Sequence, residues 1–425
     1  MITVLNKVTC VLFLLAPLIT HAQIKQLTID SCYRMAKQNY PLIKKQGLIA
    51  GSRRYSLENA SKLYLPQLTV NGQATYQSQT ISFSDALPPI PGASFPTIDK
   101  DQYKIQAELS QAIYDGGVTR HQKALILANE QIQQQGLEVN LNSLKDRVTQ
   151  IYFSVLLINE QLKQNEIRKS DLRGALDKVN AAYANGTAYR SSVDELKAAI
   201  INSDMTAITF RANRKAFMDM LALLIGQSVD ESTVLILPEQ IPVTSGISRP
   251  ELKFFDLQKK SFDIQEHQLR SAYTPRLSAF VQGAYGRPTL NIIKNEFGPW
   301  WIAGLRLNWS LGSLYSLKNN RHLLEINRQN ADVDKETFLF NTRITLDQQN
   351  ADIKKYSDLL EQDNAIVELL TAVVQSARAQ LDNGVITVHE YIAKLNEENL
   401  AKQARIVHNI QLLQAQYNFK NTSGN

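Results

Sequence analysis

Six histidines and two cysteines are the side chains of this chain best suited to hold a metal or attack a bond. No two histidines have the HxxxH spacing that sets a pair of imidazoles on one helix face, and His389-Glu390 lacks the second histidine that a zinc-protease helix requires. There is no GxxxxGK[ST] loop to cradle the phosphates of a nucleotide, so ATP hydrolysis by the chain itself is not expected. Neither an enzymatic reaction nor a cofactor is expected from these residues. What the chain does repeat is a turn: YANGTAYRSSVDELKAA from Tyr183 and LDNGVITVHEYIAKL from Leu381, 198 residues apart. In each, an Asn-Gly pair (Asn185-Gly186, Asn383-Gly384) interrupts a helical pattern, and glycine ends a helix readily because it tolerates the left-handed conformation.

The elements that carry these turns follow from composition and periodicity. The 425 residues are 44% hydrophobic, enough to bury a core, and a mean hydropathy of -0.24 places most of the surface against water. Lys7, the apolar run Val8 to Ile19 and the triplet Thr20-His21-Ala22 predict a secretory signal (1–22) cleaved after Ala22. That run is short of the roughly 20 residues a spanning helix needs, and no later stretch of that kind appears. Cys32 is then the only mature cysteine, so no internal disulfide is expected. Loss of Lys7 lowers the formal charge from +6 to +5; the basic residues alternate with acids along helices and form no block, which argues against a nucleic-acid partner.

The two halves of the chain share one layout. RRYSLENASKLYLPQLTVNGQATY from Arg53 answers FDIQEHQLRSAYTPRLSAFVQGAY from Phe262, and ELSQAIYDGGVTRHQKAL from Glu108 answers RLNWSLGSLYSLKNNRHL from Arg306. Pro66 and Pro275 are offset by 209 residues, whereas the later strands and the turns are offset by 198, so the first strand pair has 11 extra residues, supplied by the loop LPPIPGASFPTIDKD. The reading is a duplicated unit. A first repeat (23–225) holds strands at about 66–83 and 101–114 and a helical hairpin at 118–225. A connection (226–248), equatorial only by the family resemblance described below, leads to a second repeat (249–417) with strands at about 275–286 and 299–311, a hairpin at 316–417 and a tail (418–425).

Along the strands, Leu68, Val70, Gly72, Ala74 and Tyr76 alternate with Gln67, Thr69, Asn71, Gln73 and Thr75, and Trp301, Ala303, Leu305, Leu307 and Trp309 alternate with Trp300, Ile302, Gly304, Arg306 and Asn308. This fits a transmembrane β-barrel and equally a soluble antiparallel sheet. Tyr76, Tyr114, Trp300 and Trp309, near strand ends, read as interfacial aromatics. Leu144, Val148, Ile151, Val155, Ile158, Leu162, Leu172, Leu176, Val179 and Tyr183 follow a heptad, interrupted only by Asn165 and Lys169. Val193, Leu196, Ile200, Ala207, Phe210, Phe217, Leu221 and Leu224 return it, with polar Ser203 and Arg214 in register. A second hairpin is written by Ile353, Tyr356, Leu360, Val367, Leu370, Val374, Ala377 and Leu381. A helix from Val118 to Tyr183 would run about 100 Å at 1.5 Å per residue. Four strands cannot close a barrel, so copies of the chain must share one: two copies leave a lumen filled by side chains, three a lumen wide enough for water.

IDSCYRMAKQNYPLIKKQ (Ile29 to Gln46), LYLPQLTV, SQAIYDGG and YANGTAYRSSV, with second-half partners such as RPELKFF at Arg249, resemble the TolC family of bacterial outer membrane efflux proteins over nearly the whole mature chain. The resemblance implies an α+β, mainly α fold: a homotrimer with a 12-stranded barrel in outer-membrane lipid and a tunnel of twelve coiled-coil helices extending into the periplasm of a Gram-negative cell. It implies a passive exit duct for drugs, toxins or secreted proteins, serving an efflux or type I secretion system through a periplasmic adaptor (membrane fusion) protein and an inner-membrane pump. By the same resemblance Gly186, Thr187, Ala188, Gly384, Val385 and Ile386 are the tips that dock the adaptor. Glu390 matches an aspartate lining the entrance constriction, Ala393 stands where a second acid would be, and Asp194 and Glu195 lie just beyond Ser192 in the first repeat. The alternative from another class is a periplasmic coiled-coil scaffold or adaptor with no transmembrane barrel.

Overall fold

The computed structural model describes residues 26–81, 91–92, 97–230, 232–242, 246–291 and 294–425. The expected signal segment and most of the Pro-rich loop lie outside the described residues. In chain order the elements are β1 (Gln26–Leu27), α1 (Ile29–Asn39), α2 (Lys45–Lys62), β2 (Gln67–Tyr76), β3 (Asp101–Tyr114), α3 (Val118–Asn142), α4 (Leu144–Ala184) and α5 (Arg190–Ile225). They continue with β4 (Val234–Leu235), α6 (Pro250–Ser271), β5 (Arg276–Arg287), β6 (Gly298–Asn308), α7 (Leu314–Asp382) and α8 (Val388–Ser423). Two compact units result, each drawing on both repeats.

One unit comprises the described parts of Met1–Tyr40, Ser143–Ser245 and Leu346–Thr422. Its centre is the pair of helical hairpins. The heptad positions Leu144, Val148, Ile151, Val155, Ile158, Leu172 and Val179 of α4 are buried, as are Val193, Leu196, Ala207 and Leu221 of α5. One apolar cluster joins α4 and α5 to Ile29, Cys32 and Ala36 of α1, Leu235 of β4 and Ile410, Leu413 and Tyr417 of α8. A second lies near the turns, where Leu172, Val179, Val193 and Leu196 of the first hairpin meet Val374, Ala377, Tyr391, Ile392 and Leu395 of the second. The polar residues in the seams find partners among themselves. Buried Asn165 donates from Nδ2 to Ser203 O at 2.9 Å, Lys169 pairs with Asp204, and Arg214 Nε donates to Asn159 Oδ1 at 2.7 Å. In the second hairpin, buried Asp363 takes a seam position and holds His408 Nδ1 at 2.6 Å. Such pairs satisfy groups whose burial alone would cost about 1–3 kcal/mol each, and they fix the register of the helices.

The other unit comprises the described parts of Pro41–Asn142, Gly246–Thr345 and Ser423–Asn425. Its four-stranded sheet has the order β2-β3-β5-β6, antiparallel throughout. The register carries the alternation of each strand across the sheet. Leu68 opposes Leu109, Leu109 opposes Val281 and Val281 opposes Ala303, so this row and its neighbours form one apolar face. Leu68, Val70, Trp301, Leu305 and Leu307 on that face are all more than 60% exposed. On the opposite face Thr69, Glu108 and Gln282 share a row; Arg306 makes two hydrogen bonds to Glu108, at 2.7 and 3.2 Å, and lies 4.5 Å over the Phe280 ring. β2 and β6 are the edges, and each offers an unpaired ladder.

Four elements differ from the sequence reading. The helix expected from Val118 to Tyr183 is interrupted at Ser143, where Asn140, Asn142 and Ser143 compete with the backbone for hydrogen bonds: Asn140 Nδ2 donates back to Gly136 O at 2.9 Å. The second repeat has Phe338, Phe340 and Asn341 at the equivalent places, and α7 continues unbroken for 69 residues. β2 stops at Tyr76 and β6 at Asn308, short of 83 and 311. The expected tail is helical through Ser423, where the backbone of Ser248 donates to Ser423 O at 2.7 Å.

The seam predicts an asymmetric response to truncation. Leu172→Ala, at a fully buried position, is expected to cost about 2–5 kcal/mol, and Leu369→Ala, at a position 67% exposed, less than about 0.5 kcal/mol. Thermal midpoints of the two purified variants check this.

Candidate functional site

The turns that open the sequence reading have one geometry. Gly186 and Gly384 take φ of +75° and +69°, the left-handed region that a side chain resists. At the first turn Gly186 N donates to Tyr183 O at 3.0 Å and Thr187 N to Ala182 O at 2.9 Å; at the second Gly384 N donates to Leu381 O at 3.0 Å and Val385 N to Gln380 O at 2.8 Å. Both are Schellman motifs, which satisfy the last carbonyls of a helix and reverse the chain. Val385 is 71% exposed, whereas Ile386 and Ala188 are partly buried against the second apolar cluster. Of the expected tip residues, Gly186, Thr187, Gly384 and Val385 therefore stand free on the surface.

The helices that leave the turns start differently. Thr387 precedes α8 and forms a capping box with Glu390: Glu390 N donates to Thr387 Oγ1 at 3.2 Å, while the Thr387 N–H and hydroxyl reach Glu390 Oε2 at 2.8 and 3.0 Å. These hydrogen bonds, the backbone one first, hold the Glu390 carboxyl below its ordinary range. In the first repeat Tyr189 and Ser192 occupy the places of Thr387 and Glu390, and α5 begins with no side-chain cap. Glu390 is thus exposed but turned back onto its own helix. The T-x-x-E spacing that announces this cap is legible in the sequence.

Among the described residues, polar side-chain links join the two hairpins of one chain, and none of those that follow was foreshadowed by periodicity. Glu195 Oε1 lies 2.6 Å from His389 Nδ1, Lys178 Nζ lies 2.5 Å from Asp382 Oδ2, and Arg168 Nη2 donates to Asn396 Oδ1 at 2.6 Å. Arg168 also reaches Ser203 Oγ at 3.3 Å, and its burial lowers its affinity for the proton. Asp194 stays on its own helix, 3.7 Å from Arg190. The structure therefore brings Glu195 to the residue preceding Glu390 and leaves Asp194 apart. Among the described residues no group of three or more His, Cys, Asp or Glu could hold a metal, and no helix is long and apolar enough to cross a membrane. The arrangement is one of caps and clasps.

Residues 32–227, from α1 through the first hairpin, match the family model described as outer membrane efflux protein. The efflux-protein fold extends well beyond this segment. VceC, an outer membrane protein from Vibrio cholerae, aligns with a TM-score of 0.65 at 12% identity, covering 93% of this chain and 96% of VceC. The CmeC outer membrane channel of Campylobacter jejuni gives 0.63 at 14%, covering 93% and 85%. The open state of the MtrE outer membrane channel of Neisseria gonorrhoeae gives 0.64 at 15%, covering 93% and 88%. No match is found among curated proteins. The mainly helical architecture with antiparallel strands agrees with the sequence reading.

The capping box yields a prediction whose sign follows from the lowered pKa. A carboxyl with a depressed folded pKa contributes stability above its unfolded pKa and loses it as pH falls through the folded one. Protection of the first amides of α8 against hydrogen exchange should therefore fall on acidification through the glutamate range. Thr387→Ala should weaken the same amides at neutral pH by about 1 kcal/mol. Protection that rises on acidification would show that Glu390 does not cap the helix.

Proposed function

We propose that three copies of the chain assemble into an outer-membrane exit duct of an efflux system, standing in the outer membrane and extending into the periplasm. The sheet carries this reading. Its apolar face is exposed, its other face is polar, and its two edges are unpaired. In lipid every open edge would leave backbone groups unsatisfied at several kcal/mol each, so the edges must meet other copies. Four strands per copy give twelve in a trimer, enough for a water-filled lumen lined by the face of Glu108 and Arg306. The long hairpins supply the tunnel wall.

Conduction is passive, and the energy comes from an inner-membrane pump reached through a periplasmic adaptor. The tips at Gly186, Thr187, Ala188, Gly384, Val385 and Ile386 form the docking surface, with Val385 as its exposed apolar anchor. Threefold symmetry would turn Glu390, Asp194 and Glu195 into rings of three at the entrance. Of these, Glu390 is committed to its cap and Glu195 to His389, so the clasp between hairpins, more than a field of free carboxylates, sets the entrance. Drugs, toxins and secreted proteins are all compatible with a polar lumen of this kind.

The native mass of the detergent-extracted protein tests the reading. A trimer from the outer-membrane fraction is expected; a stable, water-soluble monomer would replace the duct with a periplasmic scaffold. At the tip, Val385→Asp should weaken adaptor capture about tenfold, equivalent to about 1.4 kcal/mol, with the thermal midpoint unchanged. Undiminished capture would remove Val385 from the docking surface.

A further inference from the structure

The internal duplication dictates the register at which one copy of the sheet meets the next. Two offsets relate the repeats: 209 residues carry β2 onto β5, and 198 carry β3 onto β6. Applied to the β2–β3 ladder they turn Gln67↔Ser110 into Arg276↔Asn308, and Tyr76↔Asp101 into Tyr285↔Pro299. Both are pairs of the β5–β6 ladder, so the two hairpins of the sheet have the same register although 11 residues separate their loop lengths.

The β3–β5 ladder joins the end of one repeat to the start of the next. Among the described strands, the junction of that kind left without a partner is from β6 to β2, the two free edges. We infer that β6 of one copy pairs antiparallel with β2 of a second copy in the register of β3–β5. Ser110↔Phe280 then becomes Asn308 against Asn71 of the partner subunit, and Lys104↔Gly286 becomes Ile302 against Gln77 of the partner subunit. Ile105↔Tyr285 becomes Ala303 against Tyr76 of the partner subunit, so the tyrosines that close the two equivalent strands face equivalent neighbours.

Two independent constraints agree with this register. Every pair it generates sets apolar face against apolar face and polar against polar, whereas a slip of one residue would put Leu307 beside Asn71 or Gln73 and turn a whole strand over. Within the chain, Gln67 leads across β3 to Phe280, four residues beyond Arg276, its repeat counterpart. A closed barrel has one fixed stagger, and the same four-residue step at the free edges makes the stagger uniform around the ring. The register also explains why β6 stops at Asn308 while β3 continues to Tyr114. Trp309 and Ser310 gain ladder partners, Val70 and Thr69 of the partner subunit, only when the second copy is present.

This inference rests on the trimeric reading, and the experiment separates the two. Asn308→Cys with Asn71→Cys in the full chain, oxidised in outer membranes, should give disulfide-linked dimers and trimers. Directly opposite residues have Cβ atoms about 4.5–5.5 Å apart and diagonal ones about 7–8 Å, so Asn308→Cys with Thr69→Cys or Gln73→Cys should cross-link at least about fivefold less. Ile302→Cys with Gln77→Cys repeats the test farther along the ladder, on the same polar face. Native Cys32 is fully buried and does not compete. Native mass is read in parallel. A trimer that cross-links best at a slipped pair, or at none, overturns the register and leaves the duct; absence of a trimer overturns the duct and the register with it.

Discussion

Backbone hydrogen bonding at the edge of a sheet is the constraint on which the architecture depends. A peptide group in water can leave a ladder without loss, because solvent replaces the partner; in hydrocarbon it cannot. A chain that contributes only four strands therefore cannot be a finished object in a membrane. Its apolar sheet face, with Leu68, Val70, Leu305 and Leu307 bare, and its two open edges would be accounted for together by the copies of the proposed ring.

The helices solve the opposite problem. Long heptads of leucine and valine could slide past one another, and the buried polar residues prevent it. Asn165 with Ser203, Lys169 with Asp204, Arg214 with Asn159 and Asp363 with His408 satisfy one another only in one alignment. Cys32, in the cluster that gathers α1, α4, α5 and α8, is raised by burial to a pKa of about 11 and behaves as a small apolar side chain. Stability in a chain without disulfides comes from packing and from these fixed polar contacts.

Periodicity exposed most of the architecture because strands and helices write their faces at periods of 2 and 3.6. The alternation from Gln67 to Tyr76 and the seam from Leu144 to Val179 needed no coordinates. The break at Ser143 was less legible, although NLNS in one repeat against FLFN in the other held the clue. Pairings between distant segments were not legible at all. Nothing in the spacing of Glu195 and His389, or of Arg168 and Asn396, announces that they touch, since that contact is decided by how two hairpins pack and not by the pattern of either. Glu390 shows the reverse case: its cap is a local T-x-x-E motif, written plainly in the sequence.

The two turns share a Schellman geometry but differ in the start of the helix that leaves each of them. One helix begins after Tyr189 without a cap, the other with the Thr387-Glu390 box. In the proposed ring of three chains, six tips of two alternating kinds would be presented. A partner that contacts all six through a single surface has to accommodate both chemistries, or divide into two classes of site with different affinities. In such an assembly duplication would supply a sixfold pattern and the divergence between Tyr189 and Thr387 would remove half of its symmetry, so that substitutions in one repeat would retune recognition while the other keeps the partner engaged.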